Sequence, residues 1–315
     1  MYRTNLQPLP AFLLAFAVCL PICRAQGSSW DELNRAGTAA YRQGQYPDAE
    51  KSFSAALKEA EKFSQQDARL SESLNNLAEV YRTQAKYAEA EPLYKKALAI
   101  DEKTLGPNHP DLATGLNNLA VLYFSQGKYA KAEPLYKRAL AIREKALGPD
   151  HPDVADSLNN LAALYDGQGN YTKAEPLYKR ALAIREKALG PDHPNVAESF
   201  NNLAELYNSQ DKYAEAEPLY KRALSIDEKA LGPDHPNVAI DLNNLASLYY
   251  KQDKCKEAEP LFKRSLAIRE KALGPNHPAI AVCLTNYAAL LRKMNRTAEA
   301  EKLEVRAKAI KAKPR

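Results

Sequence analysis

"LGPDHPDVADSLNNLAALY", Leu147 to Tyr165, decides the fold because the chain says it more than once. "LGPNHPDLATGLNNLAVLY" runs from Leu105 to Tyr123, and "LGPDHPNVAESFNNLAELY" from Leu189 to Tyr207. The copies are 42 residues apart, and the same step separates His109, His151, His193, His235 and His277. Tyr87, Tyr129, Tyr171 and Tyr213 keep it too, after which Cys255 and Thr297 stand in the tyrosine's place. Upstream, "YPDAEKSFSAAL" begins a related unit at Tyr46, offset by 41. Seven units result, the outer two atypical, as end-capping repeats are. A fixed period of this length marks a solenoid, in which each unit packs only on its neighbours.

Each unit reads as two helices. Leu116, Leu119, Ala120 and Tyr123 recur at the i, i+3, i+4, i+7 spacing of one apolar helical face. Gly127 in "SQGK" breaks the run, and Ala132, Leu135, Tyr136, Ala139 and Leu140 resume it. Pro134 falls early in this second helix, where a missing N–H matters least. Gly148 and Pro149 end it, and Pro152 suits the first turn of the next. No segment alternates with period two, so no strands are expected. The small Ala120, Ala132 and Ala139 let helices approach, and Leu119, Tyr123 and Tyr136 fill the gaps between them.

With Leu116, Leu119-Ala120, Tyr123, Gly127-Lys128-Tyr129, Ala132, Tyr136 and Ala139 in these places, the unit resembles the tetratricopeptide repeat (TPR). The 42-residue form, with "LGPDHP", "LNNLA" and "YKRALAIREKALG", is similar to the TPR arrays of kinesin light chains and their bacterial relatives. The resemblance covers about Trp30 to Lys311. It implies an all-α TPR solenoid, a right-handed superhelix of about seven helix-turn-helix repeats. Its expected divisions are an atypical first repeat over 26–64, five regular repeats over 65–273, and a capping repeat with a basic tail over 274–315.

The doubled asparagine follows from helical geometry. At about 100° per residue, Thr114, Asn118, Val121 and Ser125 point away from the buried stripe, while Asn117 lies on its flank. Stacking then sets Asn76, Asn118, Asn160, Asn202, Asn244 and Asn286 in a row along one surface. A carboxamide both donates and accepts, which suits the backbone of an extended peptide of any sequence. In kinesin light chains asparagines of the first helices hold cargo peptides in the concave groove, and the resemblance implies the same use here. The alternative, that the side chains bridge helices or cap turns, fits the flanking Asn75, Asn117, Asn159, Asn201 and Asn243 better. Glu72, Glu79, Asp156, Glu198 and Glu205 flank the outward row, and Lys251 and Lys293 lie at its far end. A partner carrying basic residues is therefore expected, which departs from the acidic cargo of kinesin light chains.

The first 25 residues read as a secretory signal: Arg3, an apolar run from Ala11 to Leu20, and a small residue, Ala25, at the expected cut. The run is short for a bilayer span, which needs about 20 apolar residues. An exported protein, periplasmic or secreted, is expected, with an uncleaved anchor as the alternative. The chain is 26% charged and 45% hydrophobic with net charge +5, and its charges are interspersed. No block of like charges points to nucleic acid. The histidines cannot share a zinc ion if equivalent atoms of stacked helix pairs lie about 20 Å apart, so each is read as a loop residue bonding the turn backbone. Acid pairs such as Asp101-Glu102 and Asp227-Glu228 read as solvated helix charge. Cys255 and Cys283 fall at opposite ends of the helical layer, too far apart for a bridge. No catalytic motif or cofactor-binding loop is found, so the reading is a non-catalytic interaction scaffold. A cytoplasmic cargo adaptor and a structural subunit of an envelope assembly are the alternatives.

Overall fold

Pro110, Pro152, Pro194, Pro236 and Pro278 each occupy the first position of a helix, where no N–H is required. The histidine before each proline is the N-cap. Its Nδ1 accepts the backbone N–H two residues on, at 3.1 Å for His193 and 3.2 Å for His109. The repeated histidine therefore satisfies an amide that the helix would otherwise leave unpaired. At the other end of the unit, Gly148 takes φ 91°, a conformation glycine adopts without strain, and the chain turns into the next repeat.

The computed structural model describes residues 29–64 and 67–312. The described residues form fourteen helices. In order they are α1 Ser29–Arg42, α2 Tyr46–Ala60, α3 Ala68–Thr83, α4 Tyr87–Leu105, α5 Pro110–Ser125, α6 Tyr129–Leu147 and α7 Pro152–Gly167. There follow α8 Tyr171–Leu189, α9 Pro194–Ser209, α10 Tyr213–Leu231, α11 Pro236–Lys251, α12 Cys255–Leu273, α13 Pro278–Lys293 and α14 Thr297–Ala312. They pair as seven hairpins, all-α among the described residues. The secretory signal expected over residues 1–25 lies outside those residues. No described helix is long and apolar enough to cross a membrane.

Each second helix packs on its own first helix and on the first helix of the next repeat. The first helices also touch one another, α3 on α5 and so on to α11 on α13. They form an inner layer and the second helices an outer one. Ala78, Ala120, Ala162, Ala204 and Ala246 are fully buried at the same place in successive inner helices, where a larger side chain would hold the layers apart. The inner tyrosines tie each repeat to the one before: Tyr123 donates to Glu91 at 2.9 Å, Tyr165 to Glu133 at 3.0 Å, and Tyr207 to Glu175 at 2.9 Å.

Two expectations are corrected. Equivalent inner atoms are not 20 Å apart, because Asn76 Nδ2 donates to Asn34 Oδ1, one repeat earlier, at 2.9 Å. The estimate assumed straight stacking of helix pairs, whereas here the first helices lie directly against one another. Asp227 is not solvated: it is 3% exposed, since its place on α10 turns it into the layer between repeats. Its neighbour Glu228 does stay at the surface, paired with Arg264 at 2.5 Å. Cys255 opens α12 and Cys283 is buried in α13, and both thiols are free.

The array curves until its first turn meets the loop between its sixth and seventh repeats. Gly44, between α1 and α2 with φ +70°, lies so close to the loop before α13 that a Cβ there would be 2.8 Å from His277 Nε2. A cavity of about 360 Å³ beside this contact is lined by Arg42, Gln43, Gln45, Ala272, Leu273 and His277.

Candidate peptide-binding face

The outward residue of each asparagine pair is half-buried on the inner helices; the inward one is buried at Asn117, Asn159 and Asn243 and half-buried at Asn75 and Asn201. Asn118, Asn160, Asn202 and Asn244 are half-buried, and none makes a hydrogen bond to another described residue. Their helices α5, α7, α9 and α11 are in mutual contact, so the carboxamides advance by roughly one helix diameter, ~10 Å, per repeat. About three residues of an extended chain, at ~3.3 Å each, span that step. The ends of the row differ. Asn76 is bonded to Asn34, and Asn286 donates to Asn243 Oδ1 at 3.2 Å. Asn34 extends the row by one unit and was missed by the sequence reading. The signal was present, since it stands 42 residues before Asn76, but the first unit is registered on Tyr46, whose offset is 41.

The inward asparagines are buried at Asn117, Asn159 and Asn243. Asn201 bridges to Asp241 on the next inner helix at 2.5 Å. Asn159 leaves both of its polar side-chain atoms without a partner.

The five acids expected to flank the row are on it, but they are not free charges. Glu79 accepts from Arg82 at 2.5 Å, from Tyr94 at 2.8 Å and from Tyr41 at 2.9 Å. Burial pushes its carboxyl up, yet Arg82 and the two hydroxyls hold it below the ordinary value. Asp156 and Glu198 share one buried cation, Arg185, at 2.6 and 3.2 Å. Glu205 accepts from Tyr220 at 2.6 Å and from Asn208 at 3.1 Å. Glu72 accepts from Asn34 at 2.8 Å, and desolvation raises its pKa. Helical projection places a side chain on a face but does not show what reaches it from the next repeat. It also passed over Asp166, whose pKa is pushed up to about 6 by burial and by Glu205. At the far end Lys293 donates to the Tyr250 carbonyl at 2.9 Å.

A curved double layer of helices with half-exposed carboxamides at one per repeat defines a class, the α-solenoid built on helix-turn-helix repeats. Models of the tetratricopeptide repeat match residues 32–103, 69–145, 199–271 and 242–313, and a model of the nephrocystin-3 TPR domain matches 136–230. The chain belongs to the tetratricopeptide repeat family. It is similar to the crystallised TPR-like repeats of a protein described as a kinesin light chain of Podosopora anserina. The identity is 30%, the coverage 67% of this chain and 98% of that one, and the TM-score 0.54. BtubC (BKLC) from P. vanneervenii matches at 26% identity over 78% of this chain and 91% of that one, with TM-score 0.56. A Rap protein in complex with Competence and Sporulation Factor shares the fold at 18% identity. It covers 90% of this chain and 75% of that one, with TM-score 0.67. No curated protein matches the chain.

Proposed function

We propose that the chain is a non-catalytic scaffold that holds an extended peptide, or an extended segment of a protein, along the inner face of its repeats. The observation that carries this reading is the run of Asn118, Asn160, Asn202 and Asn244, accessible and without partners at a constant step. An unpaired carboxamide can meet a ligand N–H or C=O with no bond of its own to break first. A rigid array also keeps the ordering cost low on the receptor's side. Basic side chains on the ligand fit Asp166 and Glu205 of the middle repeats, which form no ion pair among the described residues, whereas Asp156 and Glu198 are already engaged by Arg185. Export is part of the proposal and rests on Arg3, the apolar run and Ala25.

An array of nonapeptides of varied sequence, probed with the full chain, tests the reading. Peptides that bind should lose about five- to tenfold in affinity to Asn202→Ala, the worth of roughly one hydrogen bond, with the far-UV circular dichroism unchanged. Equal affinity of the selected peptides for the wild type and for an Asn160→Ala/Asn202→Ala variant would overturn it. N-terminal sequencing of the secreted or periplasmic fraction tests export, with a start at Gln26 expected.

A further inference from the structure

The seam where the array meets itself is an edge contact between two turns. The helices of the first repeat do not pack on α12 or α13; Gly44 touches His277 and Pro278 instead. The cavity at this contact is walled from both sides. Arg42, Gln43 and Gln45 come from the first turn, Ala272 and Leu273 from the end of α12, and His277 from the loop that follows. No acid is among the six, and Asp48 in the first turn of α2 is not on the wall. The side chains of Arg42, Gln43 and Gln45 make no hydrogen bond or ion pair with another described residue. The acids next along the chain on the other side, Asp234 and Glu270, are held by Lys271 and Arg306.

His277 faces the cavity as a donor. Its Nδ1 accepts the Ala279 N–H at 3.2 Å, so the proton of the neutral ring sits on Nε2, the atom nearest Gly44. Burial and the charge of Arg269 hold the ring below its ordinary pKa, which keeps it neutral at pH 7. Arg269 itself is 4% exposed, and its Nη2 has no hydrogen-bond partner. It is the counterpart of Arg185, two repeats on, but Ile240 and Val282 stand where Arg185 has Asp156 and Glu198. Closing the array therefore brings Arg42 towards His277 and an uncompensated Arg269 with no carboxylate on the cavity wall between them. Like charges approaching in a half-dry cavity oppose closure, and an anion between them reverses the sign.

We propose that this cavity is a binding site for a phosphate group, of the free ion or of a small monoester, which bridges the first turn and the loop before α13 and holds the array closed. The donors come from both sides of the seam: the Arg42 guanidinium and the Gln43 and Gln45 amides from one, His277 Nε2–H from the other. Donors that converge from several directions suit the three outer oxygens of a tetrahedral oxyanion better than a carboxylate, whose acceptors lie in one plane. The volume of about 360 Å³ is that of a small-ligand site, and Ala272 and Leu273 offer an apolar wall to an ester group. The site does not rest on the groove reading.

The test titrates inorganic phosphate, ethyl phosphate and acetate into the full chain by calorimetry at matched ionic strength, and follows the radius of gyration by small-angle X-ray scattering. Saturable binding of a phosphate is expected, at least about tenfold tighter than acetate, with a smaller radius of gyration at saturation. Arg42→Gln and His277→Asn should each weaken it about tenfold. Asparagine at 277 keeps a cap for α13 while removing the Nε2 donor. Gly44→Ala, which pushes the first turn off His277, should weaken binding too, whereas Lys145→Gln, an exposed cation on α6, should leave it unchanged. Tighter binding of ethyl phosphate than of inorganic phosphate assigns the site to a monoester, and the reverse order assigns it to the free ion. Equal affinity for phosphate and acetate, or undiminished binding in the Arg42→Gln/His277→Asn double variant, overturns the site. A radius of gyration that phosphate does not change overturns the bridging of the seam.

Discussion

Replacing Asp241 by the serine found at its place in neighbouring repeats should stabilise the protein at neutral pH and not in acid. Asp241 has an ordinary value of 3.8 and is raised to about 8 in the folded chain. An acid whose folded pKa lies above its unfolded one takes up a proton on folding, so its penalty is absent below the unfolded pKa and grows as pH rises towards the folded one. At about 1.36 kcal/mol per pH unit, the stretch from 3.8 to neutrality amounts to about 4 kcal/mol. Serine loses the bond from Asn201, worth about 1 kcal/mol, and leaves a small void that takes a similar toll. The net expectation for Asp241→Ser is a gain of about 2 kcal/mol near pH 7. At pH 4 the variant should be less stable than the wild type by about 1.5 kcal/mol, since the lost bond and the void remain and the Asp241 penalty they oppose has shrunk to about 0.5 kcal/mol. Urea unfolding followed by far-UV circular dichroism at the two pH values measures both signs. Parallel stability–pH curves for the two proteins would refute the reasoning, because they would mean that Asp241 does not titrate differently on folding.

Arg185→Ala removes the cation that Asp156 and Glu198 share and should cost about 3 kcal/mol, read as a lower urea midpoint; an unchanged midpoint would contradict the pairing. Gly44→Ala should cost about 1 kcal/mol for its positive φ and should also enlarge the radius of gyration in small-angle X-ray scattering, as the first turn is pushed off His277. Gly127→Ala has a similar φ but nothing within 4 Å of an added Cβ, so it should show the stability loss without the change in shape. His193→Ala leaves the Asn195 N–H without its cap and should lower stability by about 1 kcal/mol, measured by the same urea titration.

The fold was legible because every signal that sets it is local and repeated. Pro194 opens α9, His193 caps it, Gly190 ends the helix before it, and the spacing of Leu203, Ala204 and Tyr207 gives the inner stripe its face. None of these depends on a partner far along the chain. The division of the asparagine pairs was legible for the same reason, since helical rotation alone separates Asn202 from Asn201. Asn34 was hidden only by a one-residue change of period in the first unit.

The state of the groove was not legible in this way. The sequence by itself determined a TPR array with Asn118, Asn160, Asn202 and Asn244 on one face and carboxylates beside them. Only the tertiary structure decided that Arg185 reaches across to claim Asp156 and Glu198, that Tyr41 and Tyr94 close over Glu79, and that Asp227 turns inward to meet Asp241. A helical period fixes the direction of a side chain about its own axis. Whether a charge there is paired, buried or free depends on what the neighbouring helices bring within a few ångströms of it, and on the water that their approach removes.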